Sequence, residues 1–293
     1  YKEMTPSMKL AGGPISPYIM PKHIFSTIPV KDWEQSDYVR GTKVVGLGAF
    51  TIESIVPGES VTYKANEYYY KGRPKLDKVV AELVSPDSIV SEMKAGKYDI
   101  ASMPRAQFDT YKDLTNVTLL GSEDSAYEYI AFQLGKWDES IGKNVMNPNA
   151  KMADPVLRQA IAYALDNDQV ANETYQGLRI AANTLLSPFF GEIYADKSEV
   201  PGFTYNPEEA KKILADAGYK DTDGDGYVED KDGKQLTITL LVPAGSVTDD
   251  AVIQQYIEWW KNVGLRVELL NGRSLDFNAY AEKLTKYADD FDM

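Results

Sequence analysis

The 293-residue chain has no cysteine and a single histidine, His23. Without cysteine it can form neither disulfides nor thiolate metal sites. One histidine leaves histidine-based metal sites and a Ser-His-Asp triad without support. Basic residues are also in deficit: 31 Lys and Arg stand against 44 Asp and Glu, a net charge of −13. Phosphate backbones are gripped by lysine and arginine, so an acidic chain with no basic run excludes nucleic acid as an expected partner. No apolar run approaches the roughly 18 residues of a membrane-spanning helix. The opening YKEMTPSMKL has neither an initiator methionine nor a signal-peptide pattern, which reads as a processed or excised chain.

What is present is an ordinary globular composition, 43% apolar and 26% charged, enough to bury real cores. The length suggests about two domains. Residues 1–25, rich in Pro and Gly, read as loop with short pieces. Two β-rich runs, 49–56 and 60–65, flank Pro57-Gly58 and predict a hairpin. A strand over 76–84 is followed by Ser85-Pro86, a helix start, then a helix to Ala95 and a strand over 98–103. That order predicts a β-α-β unit with parallel strands. Residues 126–134, AYEYIAFQL, read as a further strand, and 153–177 as helix with Asp154 as N-cap and Pro155 after it. Asn206-Pro207-Glu208-Glu209 opens another helix, which closes at Gly218. A second β-α-β unit follows: strand 235–244, helix 248–263 and strand 265–270. Trp259-Trp260 could form an aromatic platform, but packing of the helix onto the sheet is the simpler expectation.

Between the helix ending at Gly218 and the strand from Gln235 stands DTDGDGYVEDKD. Oxygen donors recur at Asp221, Asp223, Asp225, the Tyr227 carbonyl, Glu229 and Asp232, with Gly226 at the sharp turn, the pattern of a calcium loop. The twelfth position is Asp instead of the longer Glu, which lowers the expected affinity. A calcium sensor joins two helices and changes their angle. Here a helix enters and a strand leaves, so Ca2+ would be structural. An acidic turn held by Asx-type hydrogen bonds, without metal, is the other reading.

The run GLGAFTIESIVPGESVTYKANEYYYKGRPKLDKVV resembles bacterial ABC-importer oligopeptide-binding proteins, solute-binding protein family 5. The motif residues are Gly46-Leu47-Gly48-Ala49-Phe50, then Asn66, Tyr69, Gly72, Pro74, Leu76 and Asp77. Ala49 departs from the proline usual in that turn. MPKHIF, AGKYDIA, DPVLRQAIAYALDNDQV, YNPEEAKKILADAGYKDTDGDG and LDFNAYAEKLTKYADDFDM also look like the family, in its order. The resemblance implies an α/β fold of two-lobed, type II periplasmic-binding-protein architecture, here incomplete, since family members are about twice as long. Residues 1–25 would be the remnant of the small inserted domain II, 26–128 the central part of domain I, and 129–293 a truncated domain III. Residues 127–134 would cross the hinge between lobes.

The function implied is the substrate-binding component of an ABC transporter. It would capture oligopeptides between two lobes, through main-chain hydrogen bonds and watery pockets, and deliver them to a membrane permease. The resemblance further implies a monomer, extracellular and lipid-anchored in the full-length protein. Tyr127, Tyr129 and Gln133 are the implied ligand contacts, against the simpler expectation that alternate residues of that strand pack. The family's acidic clamp for the peptide amino group falls beyond TKYADDFDM, so Asp289, Asp290 and Asp292 are expected to be solvated or structural. The stretch alone is then expected to bind peptide weakly or not at all. The same architecture binding oligosaccharide, nickel or haem is an alternative, and His23 alone does not support the last two. No enzyme is expected. There is no nucleophile motif or phosphate loop, and GLGAF lacks the following helix of a dinucleotide fingerprint. Acidic pairs of the glycosidase kind arise by chance among 44 carboxylates.

Overall fold

Pro57 and Gly58 reverse the chain between β1 (Phe50–Val56) and β2 (Ser60–Ala65), with Gly58 at φ +76, a value that suits a residue without Cβ. The computed structural model describes residues 20–245, 247–285 and 290–293. Residues 1–19 of the expected domain II remnant, and Asp289, lie outside the described residues. The chain divides into two compact units after Val84.

In the first unit β1 pairs antiparallel with β2, and β2 antiparallel with β3 (Lys78–Glu82). The hairpin falls where the sequence puts it. Asn66 closes its open end. Its amide Nδ2–H donates to Gly48 O at 2.9 Å, its backbone N–H donates to Ala49 O at 2.9 Å, and its Oδ1 accepts from Tyr68 N–H at 3.0 Å.

The expected first β-α-β unit is not formed. Helix α1 (Ile89–Lys94) exists, starting three residues after Pro86, but 98–103 makes no ladder and Ile100 is 91% exposed. A strand exists only where a partner satisfies its backbone groups. The described residues offer 98–103 none, and the ladder of β3 is antiparallel. The segment 126–134 is corrected for the same reason: among the described residues only its end is paired, Gln133 N–H donating to Asp292 O at 2.8 Å and Leu134 O accepting from Asn147 N–H at 2.8 Å. The short hairpin β4 (Gly135–Asp138) and β5 (Lys143–Met146) follows instead.

The long helix expected over 153–177 is broken. Asp154 caps α2 (Pro155–Tyr163), its carboxylate accepting from Val156 N–H at 2.8 Å. Asp166 then starts a new turn by accepting from Gln169 N–H, and Val170–Thr174 widens to a π-helix. Asp and Asn compete with helix by bonding the local backbone, which is why ALDND ends one. Helix α3 (Pro207–Asp216) is capped by Asn206, which accepts from Glu209 N–H, and it stops at Gly218, φ +95.

The second β-α-β unit is formed as expected. Strands β6 (Thr237–Leu240) and β7 (Arg266–Leu269) are parallel, Thr237 opposite Arg266, joined by α4 (Val247–Asn262). Residues 292–293 lie along the other edge of β6. Asp292 N–H donates to Thr239 O at 2.8 Å and Met293 O accepts from Leu241 N–H at 2.7 Å. Helix α5 (Phe277–Thr285) precedes them. The core of this unit collects Met152, Leu157 and Ile161 from α2 and its entry, Leu214 from α3, Ile238 from β6, Trp260 from α4 and Leu265 before β7. Trp260 is fully buried, so the packing expectation for the tryptophan pair holds. Among the described residues no helix is long and apolar enough to cross a membrane.

Candidate functional site

On an extended backbone alternate side chains face opposite ways. Along 126–134 the even positions Ile130, Phe132 and Leu134 pack against the main core, which turns the odd positions outward. Tyr127 and Tyr129 are exposed at 43% and 72%, their ring centroids 5.6 Å apart and tilted by 44°. Gln133 shares their parity and is half-buried. The structure thus brings the two tyrosines together and sets Gln133 further along the same face. Two aromatic faces side by side, each ending in a hydroxyl, offer apolar contact and hydrogen bonds at little rotamer cost.

Four residues near this segment escape sequence reasoning. Glu128, on the even face, accepts from Arg179 Nη1 at 2.7 Å. The Arg179 guanidinium lies 3.7 Å from the centroid of the Tyr175 ring, and the Tyr175 hydroxyl donates to Asp249 Oδ1 at 3.1 Å. Burial raises the Tyr175 hydroxyl to a pKa of about 12, Arg179 opposing and Asp249 adding to the shift, so it is a neutral donor at ordinary pH. Fifty-one residues separate Glu128 from Arg179. No local spacing signals such a pair. A shallow hollow bordered by Gln254, Ile257 and Glu268 contains none of these residues.

The acidic loop gathers Asp221, Asp223, Asp225 and Glu229, each offering an oxygen within 4.8 Å of the others. Asx turns set this arrangement. Asp221 accepts from Gly224 N–H at 2.6 Å and Gly226 N–H at 2.9 Å, Asp223 from Asp225 N–H, and Asp225 from Tyr227 N–H. Glu229 is 6% exposed, its Oε2 accepting from both the N–H and the hydroxyl of Thr222. Asp232 stands outside the group and faces Lys234 Nζ at 3.8 Å. Arg266 on β7 pairs with Asp225 and lies over the Tyr227 ring. The sequence pattern therefore assembles at four of its five carboxylate positions, with a guanidinium on one rim.

Asp292 has a structural place. Its carboxylate is 16% exposed and accepts from Thr239 N–H and Lys151 Nζ, each at 2.8 Å. Asp290 is exposed and pairs with Lys283.

Known proteins share both the sequence order and the fold. The oligopeptide-binding protein OppA of Lactococcus lactis subsp. cremoris strain SK11 is 33% identical over 97% of this chain and 47% of its own length. A structure described as lactococcal OppA complexed with an endogenous peptide in the closed conformation superposes with a TM-score of 0.83 at 31% identity, over 94% of this chain and 51% of that one. The Bacillus subtilis oligopeptide-binding protein AppA, solved with a nonapeptide, gives 0.74 at 28% identity over 91% of this chain and 49% of that one. The chain thus spans about half the length of these relatives, as an incomplete type II periplasmic-binding-protein architecture. The model of the bacterial extracellular solute-binding proteins, family 5 Middle, matches residues 4–293, and the chain belongs to that family.

Proposed function

We propose that this chain is the central part of a substrate-binding component of an ABC importer that captures oligopeptides and hands them to a membrane permease without altering them. The observation that carries this reading is the fit of nearly the whole chain to the peptide-complexed lactococcal protein. Tyr127, Tyr129 and Gln133 are the proposed peptide contacts, supported by their shared outward parity. The proposal keeps 1–25 as a remnant of domain II, 26–128 as part of domain I and 129–293 as domain III. It rests for this on motif order and not on the contact division after Val84. A monomer on the extracellular face, lipid-anchored in the complete protein, belongs to the same reading. So does the absence of catalysis, since the family's members are solute-binding proteins.

The test is calorimetry of the complete protein, at the length of its relatives, against a peptide library and against oligosaccharides. Saturable peptide binding with no product formed is the expected result. Binding of a sugar with indifference to peptides would overturn the assignment. Tyr127→Ala with Tyr129→Ala should weaken peptide binding by about 2 kcal/mol or more, roughly 30-fold, if the pair is an aromatic anchor.

We further propose that the acidic loop takes one structural Ca2+ through Asp221, Asp223, Asp225, Glu229 and the Tyr227 carbonyl. The buried Glu229 supports this: no ion pair to it is present among the described residues, and a buried carboxylate calls for compensation. Against it, Arg266 already holds one oxygen of Asp225. Binding to the native state alone raises stability by RT ln(1 + [L]/Kd), about 2.7 kcal/mol at a hundredfold excess over Kd. A thermal melt in millimolar calcium should therefore lie several degrees above one in chelator, and Asp221→Asn should abolish the difference. Coincident midpoints would count against the metal.

A further inference from the structure

Core packing of Ile130, Phe132 and Leu134 sets the facing of the later part of the segment, and Tyr127 and Tyr129 lie on its earlier part, on either side of Glu128. The backbone around Arg179 is unusual in two ways. Val170–Thr174 is a π-helix, a form that is rare and concentrated at functional sites. Beyond it, Gln176 adopts φ +55, a left-handed value that a residue with Cβ seldom takes. That conformation is held from both sides, for Gln176 Nε2 donates to Ala106 O at 3.3 Å and its Oε1 accepts from Asp109 N–H at 3.0 Å. With Gly177 at φ +75, the chain doubles back, so that Arg179 lies over the ring of Tyr175, only four residues earlier. Tyr175 is itself 5% exposed and tied to Asp249 in the first turn of α4. Strained backbone persists where surroundings over-determine it, and its products are placed groups. Here the placed group is a guanidinium whose Nη1 meets Glu128, the residue between the two tyrosines.

We propose that Arg179 is a positioning residue: stacked on Tyr175, it clamps Glu128 from behind and thereby presents Tyr127 and Tyr129 on the opposite face. The clamp is side-chain chemistry, so it can release and re-form without breaking a row of backbone bonds. The idea that the presented face meets ligand rests on the proposed peptide-binding reading. The clamp itself does not.

Backbone 15N relaxation by NMR on this chain tests it, because it reads the motion of an N–H group whether or not that group is hydrogen-bonded. Order parameters at Tyr127, Glu128 and Tyr129 should lie near the rigid value of about 0.85 in the wild type and fall below about 0.6 in Arg179→Met, with β6, α4 and β7 unchanged. Glu128→Gln, at an exposed position, should do the same with little risk to folding. Arg179→Lys keeps the cation and should recover more than half of the loss. Unaltered order parameters at 127–129 in the first two variants, or a fall spread equally over β6 and α4, would overturn the clamp. Failure of the wild-type complete protein to bind peptide would instead remove only the ligand reading, so the two failures are distinguishable.

Discussion

Replacing Trp260 by Ala should destabilise the Ser85–Met293 unit by about 3–5 kcal/mol, the range for truncating a large aromatic in a sealed core. Two properties place Trp260 at the upper end. It is fully buried, on a helix that packs onto the β6–β7 pair, among Leu157, Ile161, Leu214 and Leu265. It also carries a polar duty. The indole Nε1–H donates to Ile161 O at 3.1 Å. That carbonyl lies in the last turn of α2, where helical donors run out. Leu165 N–H, which would serve it in a longer helix, reaches Ala162 O instead. Alanine therefore leaves both a cavity and an unpaired buried carbonyl. Trp260→Phe separates the two: it fills most of the space, loses the hydrogen bond, and should cost about 1–3 kcal/mol. Urea unfolding gives the comparison, with the midpoint falling and the slope unchanged. A midpoint shift in the alanine variant below that of the phenylalanine variant would contradict this account.

How much of this was legible beforehand depends on whether the determining contacts are local. The hairpin at Pro57-Gly58, the Asp154 and Asn206 caps and the β6–α4–β7 crossover were readable because each is set within a few residues. The family motif was readable for a related reason. Asn66, one of its residues, builds a turn by bonding Gly48 and Ala49, so the same letters recur wherever that turn recurs. Strand character at 98–103 and 126–134 was over-read. β propensity describes a side chain's fit to a pleated surface, and a partner must still be there to pair. The carboxylate cluster at 221–229 followed from spacing, whereas the distance of Asp232 from it did not, because the chain turns at Gly233, φ +77, and sends that side chain to Lys234. The Glu128–Arg179–Tyr175–Asp249 chain was invisible, since it draws on three regions far apart in sequence.

Acidification should weaken the same unit through one carboxylate in particular. Asp154 joins three elements: its Oδ1 caps α2, and its Oδ2 accepts from the Tyr219 hydroxyl at 2.8 Å, just past α3, and from Lys231 Nζ at 2.6 Å in the acidic connection. Burial alone would raise its pKa. The hydrogen bonds from Lys231, Val156 N–H and Tyr219 outweigh burial, and the carboxyl titrates below the ordinary aspartate value. A carboxylate depressed in the folded state stabilises fully above its unfolded pKa of about 3.9, and the contribution is lost as pH falls through the lower folded value. Asp154→Ala should cost about 2–3 kcal/mol at pH 7, from the lost cap and from the hydroxyl of the buried Tyr219 left without its acceptor. Asp154→Asn keeps a capping oxygen and loses the charge that Lys231 meets, so its penalty at pH 7 should be smaller. The decisive comparison is between wild type and Asp154→Asn as pH is lowered from about 7 to 3. Their stabilities should converge, because protonation removes from the wild type the charge that the variant never had. Parallel curves across that range would mean that Asp154 acts by shape alone and that its ion pair with Lys231 contributes nothing to the folded state.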